Sequence, residues 1–253
     1  MSLKLGLKLV NRARPIELKF SQYLIASKLP TPPATFGHEA LIPTDGWGMF
    51  GNDQVGDCVI AGAYHETMLW NKEAGRDLSA TTANALSTYS AMTGYDPDDP
   101  STDQGTDMDT AAKYRRKTGI VDAAGNLHKV GAYLDLDPGN PTELYQAAYL
   151  FGAVGIGIQV PGYVMDQFNA GKPWDLENGR HEIEGGHYVP VVAKRDNIEV
   201  VTWGRTQAMT ERFYEKLGDQ AIVYLSEEML VEGKSLEGFD LATLRSDLAA
   251  VTA

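Results

Sequence analysis

The chain reads as an α+β protein. Three observations predict it: helix-period patterns dominate the first half, β-branched runs dominate the second, and a proline-punctuated stretch precedes both. At 253 residues it suits one large domain or two fused lobes, and it can bury a sizeable core. Its 43% hydrophobic and 22% charged residues are ordinary for a globular protein.

The elements follow in order. Residues 1–45 read as an extended N-terminal arm, because Pro15, Pro30, Pro32, Pro33 and Pro43 deny it long regular structure. Phe20, Tyr23, Leu24 and Ile25 are its apolar anchors on the body. Over 58–70 the residues Cys58, Ala61, Gly62, His65, Met68 and Leu69 share one helical stripe. A second helix is expected over 81–92 and a third over 108–117, with Gly119 as its C-terminal glycine. Between them, residues 96–105 form an acidic, turn-rich loop. Helix recurs over 141–151, with Pro141 in its first turn. The character then changes to strands over 153–160, 188–194, 198–203 and 221–225. Arg195-Asp196-Asn197 links the middle two as a hairpin. No internal repeat or low-complexity tract interrupts the pattern.

Charge narrows the function classes. Lys and Arg number 22 against 34 Asp and Glu, a net charge of −12. That argues against nonspecific binding to nucleic acid or an anionic membrane, since either demands a basic face. No stretch approaches the roughly 18 apolar residues of a membrane span. The lysines in Met1-Ser2-Leu3-Lys4-Leu5-Gly6-Leu7-Lys8 make a poor signal peptide, so the default expectation is a cytoplasmic protein, with a virion component looking the same.

Cys58 is the only cysteine, so it forms no intramolecular disulfide. It follows Asn52-Asp53-Gln54-Val55-Gly56-Asp57, where a polar loop gives way to helix. Unpaired N–H groups and the dipole at a helix start favour a thiolate. Far downstream, Gly185-Gly186-His187-Tyr188-Val189 carries a histidine into a strand. A thiol at a helix start and a distant histidine are the pair that thiol hydrolases need. The plainer readings are a small buried hydrophobe and a satisfied core histidine.

His65 shares the face of Cys58 but lies roughly 10 Å along the helix, too far for direct proton transfer, so it reads as structural. His181-Glu182-Ile183-Glu184 with His187 lacks the spacing of a zinc peptidase helix, and the acidic loop lacks EF-hand ligand order. No metal and no cofactor is expected. Gly152, Gly155 and Gly157 read as close packing within a strand rather than a phosphate loop.

The order of these segments resembles the papain-like cysteine peptidase superfamily from about residue 45 onward. Residues 52–70 resemble its nucleophile loop and central helix. Gly105-Thr106-Asp107-Met108 and Thr118-Gly119-Ile120 are similar to the glycine turn and helix of the same lobe. Gly152-Ala153-Val154-Gly155-Ile156-Gly157-Ile158 resembles the strand opening the second lobe, and Phe168-Asn169-Ala170-Gly171 the aromatic–glycine turn after it. Gly186-His187-Tyr188-Val189 matches the histidine strand, and Val201-Thr202-Trp203-Gly204 resembles the segment of the third catalytic residue.

The resemblance implies a papain-like two-lobe fold over 46–253, with a helical lobe about 46–130 and an antiparallel β-rich lobe about 131–253. It implies Cys58 as nucleophile and His187 as base, with the imidazole within about 5 Å of the sulfur. It puts Gln54, Gly105 and Trp203 at the substrate, the indole also shielding the histidine. Two positions depart from the pattern. Asn52 stands where the family has an oxyanion glutamine, with the same amide on a shorter stem. Val201 stands where the family has the asparagine that orients the histidine, and valine accepts no hydrogen bond. Thr202, one residue on, and Asp196, in the turn, are the alternatives.

Two functions follow. One is a thiol hydrolase cleaving an amide, peptide or isopeptide bond through Cys58 and His187, with a peptide or protein substrate. The other is a catalytically weakened or inactive papain-like scaffold within a bacterial or phage assembly, with a protein partner. Neither involves nucleic acid or membrane. The arm is expected to be a structural wrap, or else to occupy the Cys58 groove and inhibit it.

Overall fold

The computed structural model describes residues 3–9, 19–23 and 31–238. Within the arm the regular pieces are α1 (Phe20–Tyr23), β1 (Phe36–Gly37) and a 3-10 turn at Glu39–Leu41. Phe20 is buried edge-on against Phe151, as an anchor should be. Leu24 and Ile25, and with them the side chain of Tyr23, lie outside the described residues.

Helix α2 (Cys58–Glu73) is buried on nearly every side, so it is the spine of the molecule rather than a surface amphipath. Helix α3 (Thr82–Thr93) starts where Thr81 Oγ1 accepts from the Asn84 N–H and stops at left-handed Gly94. Helix α4 (Met108–Lys117) is capped by Asp107, and Arg115, Arg116 and Lys117 complement its C-terminal dipole. A short ribbon of β2 (Ile120–Val121) and β3 (Leu127–His128) follows. Next come β4 (Ala132–Asp135) and α5 (Pro141–Phe151), the latter with Pro141 at its start and Asn140 as cap.

The remaining strands are β5 (Val154–Pro161), β6 (Ile183–Lys194), β7 (Ile198–Thr202), β8 (Arg205–Met209) and β9 (Gly218–Leu225), interrupted by α6 (Tyr163–Asn169) and α7 (Glu211–Leu217). They form an antiparallel sheet in the order β4-β9-β5-β6-β7-β8, with β1 also pairing β6. The α+β class is therefore as expected.

Three strand limits are corrected. Strand β6 begins at Ile183, because Gly185 and Gly186 pair with Val160 and Gln159 instead of forming a loop before residue 188. Strand β7 stops at Thr202, because Trp203 turns the chain with φ +44°. Strand β9 starts at Gly218, against Ile158. The seven-residue helices α6 and α7 are too short to show a period, and the polar Arg205-Thr206-Gln207 hid β8.

One core lies under the sheet, built from Ile156, Val189, Val191, Val200, Phe213 and Val223. Another joins Phe50, Ile60, Tyr64, Ala85 and Tyr89 among the helices. Helix α2 runs between them, with Cys58, Trp70, Met108, Tyr188 and Tyr224 in one cluster and Trp47, Leu69, Val192 and Val201 in another. Among the described residues no helix is long and apolar enough to cross a membrane.

Candidate active site

Cys58 is the first residue of α2, as the loop-to-helix transition predicted. Its Sγ accepts the backbone N–H of Tyr188 at 3.4 Å, which brings the strand carrying His187 directly against the thiol. Burial pushes the thiol up to about 12, and the adjacent Asp57 carboxyl adds to this, while the N–H groups of Tyr188 and Gly6 oppose it.

His187 is fully buried and lies flat on Trp203, with ring centroids 4.4 Å apart and planes 17° apart. Its Nε2 is 2.7 Å from Thr202 Oγ1, and among the described residues its Nδ1 has no hydrogen-bond partner. Burial alone lowers the imidazole to about 3. Between the alternatives for the third position, the backbone decides. Thr202 ends β7 on the imidazole side, whereas Val201 faces Trp47, Leu69 and Val192 on the opposite face. Asp196 sits exposed at the far end of the β6–β7 hairpin, away from His187, because its turn closes the other end of the strand pair.

Asn52 is buried, and its Nδ2 donates to the Val55 carbonyl at 3.2 Å, so one amide hydrogen is committed to the loop itself. Gln54 lies exposed, with its amide against Asp53 Oδ2 at 3.5 Å. Gly105 adopts φ +65° and donates its N–H to Tyr89 Oη at 2.8 Å. His65 is structural, as its distance implied: Nε2 contacts the Gly48 carbonyl at 2.9 Å, and burial lowers it to about 4. Among the described residues no group of His, Cys, Asp and Glu has the arrangement of a metal site.

Two features go beyond the sequence reading, one unforeseen and one an alternative that it left open. Asp103, assigned to a solvated loop, turns inward and accepts from Gly56 N–H at 3.0 Å and Tyr89 Oη–H at 2.8 Å. That bond ties the loop before Cys58 to the glycine turn, and nothing in an acidic run announces it. The second is the course of residues 3–9. They cross the site without regular secondary structure, bridged at Leu7, with Leu7 N–H on Gly186 O (3.2 Å), Lys8 N–H on Thr106 O (3.0 Å) and Thr106 N–H on Gly6 O (3.0 Å). The Lys4 N–H approaches Asn52 O at 3.4 Å. Gly6 passes the thiol where no side chain fits, since a Cβ there would lie 1.8 Å from Gly56 O. Leu7 is buried with Met108, Tyr188 and Ile222, and its Cδ2 occupies the space that a Cβ on Gly157 would need.

No protein-family model matches the chain, and no curated protein matches its sequence. Solved structures do. Xylellain, a cysteine protease from Xylella fastidiosa, superposes with a TM-score of 0.61 at 13% identity, over 89% of this chain and 98% of its own. A procathepsin B from Trypanosoma congolense gives 0.58 at 12%, over 88% and 87%. The Carica candamarcensis cysteine protease CMS1MS2, in complex with E-64, gives 0.53 at 14%, over 77% and 99%. The chain thus has the papain-like fold of cysteine proteases.

Proposed function

We propose that this chain is a papain-like thiol hydrolase of amide, peptide or isopeptide bonds, with two lobes, about 46–130 and, among the described residues, 131–238, meeting at Cys58. The observation that carries the reading is the His187–Thr202 bond, on the strand whose next N–H touches the Cys58 sulfur. With its proton on Nε2 and given to Thr202, the imidazole keeps the Nδ1 lone pair for the thiol. Sγ attacks the carbonyl carbon as its proton passes to His187. The Cys58 N–H and the second amide hydrogen of Asn52 stabilise the oxyanion. The imidazolium then protonates the departing amine, and water cleaves the thioester with His187 as base.

Residues 3–9 occupy this groove in the state described. The carbonyl of Gly6 is bonded to Thr106 rather than presented to an oxyanion donor, so the segment blocks the cleft without being a substrate. A dry, neutral thiol and imidazole favour the second reading, a papain-like scaffold that only binds.

Alkylation of Cys58 with iodoacetamide across pH separates the two, in the whole chain bearing Gly6→Leu to free the groove. Reactivity persisting near pH 6 and abolished by His187→Ala supports the hydrolase. A profile rising only near the ordinary thiol value of about 8.5, and indifferent to His187, supports the scaffold.

A further inference from the structure

Resting on the hydrolase reading, we propose that Tyr188 is a positioning residue, whose buried phenol, anchored on Glu66, sets the height of His187 against Cys58. Tyr188 is held to α2 at two points. Its backbone N–H reaches the Cys58 sulfur at 3.4 Å, and its Oη–H donates to Glu66 Oε1 at 2.6 Å. Cys58 and Glu66 are eight residues apart, about 12 Å along the helix, so the two contacts fix both the position and the tilt of β6 on α2. His187 immediately precedes Tyr188 and moves with it.

The anchor is itself built in. Glu66 Oε2 pairs with the Arg115 guanidinium from α4, and that guanidinium lies over the rings of Tyr224 and Trp70, at 4.0 and 5.4 Å from their centroids. Glu66, Arg115 and Tyr188 are all buried. A buried ion pair is a weak source of stability, because desolvation offsets its attraction, but it resists displacement.

Two glycines clear the path of the phenol. A Cβ on Gly62 of α2 would lie 2.4 Å from Tyr188 Cε1, and one on Gly155 of β5 would lie 1.8 Å from Tyr188 Oη. Neither glycine has a left-handed φ, so backbone conformation does not require them; room for this side chain does. The room, the acceptor and its counter-ion come from three separate elements and converge on the residue beside the histidine.

The test uses the whole chain with Gly6→Leu and reads the pH profile of Cys58 alkylation by iodoacetamide together with the melting temperature. Tyr188→Phe keeps the ring and removes the anchor. It should lower the rate at pH 6 by about tenfold or more and move the profile toward that of an ordinary thiol, as small misplacements of reacting groups do. Gly155→Ala, which displaces the phenol without removing it, should move the profile the same way. A lower melting temperature with an unchanged, His187-dependent profile in both variants overturns the inference and leaves the hydrolase intact. If the Gly6→Leu parent itself shows no His187 dependence, the hydrolase reading fails, and this inference with it.

Discussion

Placing a leucine at position 6 should expose the thiol, and the structure sets the size of the effect. A Cβ 1.8 Å from Gly56 O cannot be relieved by a rotamer, because the obstacle is backbone. The segment must lift, and three of its bonds go with it: Leu7 N–H to Gly186, Lys8 N–H to Thr106, and Thr106 N–H to Gly6. At about 0.5–1.5 kcal/mol net each, they amount to roughly 1.5–4.5 kcal/mol. Re-exposing the Leu7 side chain adds about 1.5–3 kcal/mol. The entropy of ordering the segment is common to both chains and drops out of the comparison. A loss of about 3 kcal/mol, near the lower end of that range, raises the open fraction about a hundredfold. Iodoacetamide labelling at pH 7, followed by intact mass, measures it without ambiguity, since the single cysteine gives one adduct. Leu7→Ala, which empties the pocket beside Met108 and Gly157, should also accelerate labelling. Rates within twofold of the parent in both variants would refute the claim that this segment covers Cys58.

The third position gives opposite outcomes for neighbouring residues. Thr202→Val removes the bond to His187 Nε2 and should depress peptide or ester hydrolysis in the opened chain. Val201→Asn should bring no gain in turnover and should lower the melting temperature, since an amide among Trp47, Leu69 and Val192 costs about 1–3 kcal/mol. Increased hydrolysis in Val201→Asn would reverse the assignment. Histidine protonation gives an acid limb of stability. With a native value of about 3 against 6.5 unfolded, His187 binds its proton more readily in the unfolded chain, so its contribution is whole above pH 6.5 and lost as pH falls toward 3. His65 acts in the same direction, whereas His38, raised by its bond to Glu73, and His128, raised by Glu228, stabilise on the acid side and lose that contribution as pH rises through their native values. Denaturant unfolding of His187→Gln should therefore show a shallower slope between pH 6 and 4, by about 1.4 kcal/mol per pH unit. An unchanged slope would mean that His187 is hydrated in the native state.

Much of this molecule is decided locally and is therefore legible in the chain. Caps, prolines and helical stripes are properties of a few consecutive residues, which is why α4 and α5 fall where the pattern puts them and α2 and α3 deviate only at their ends. The polar loop turning into helix at Cys58, and the histidine entering an apolar strand, are local signals of the same kind. What the chain could not disclose are relations between distant segments. Whether Val201 or Thr202 meets His187 is a matter of strand register, and one residue of slip exchanges the faces. That the amide of Asn52 bends back to Val55, that Asp103 turns in to Gly56, and that Leu7 fills the space left by Gly157 depend on which surfaces are brought together. Those choices are made by packing, where a glycine at 62 or 155 matters only because a phenol from residue 188 arrives there.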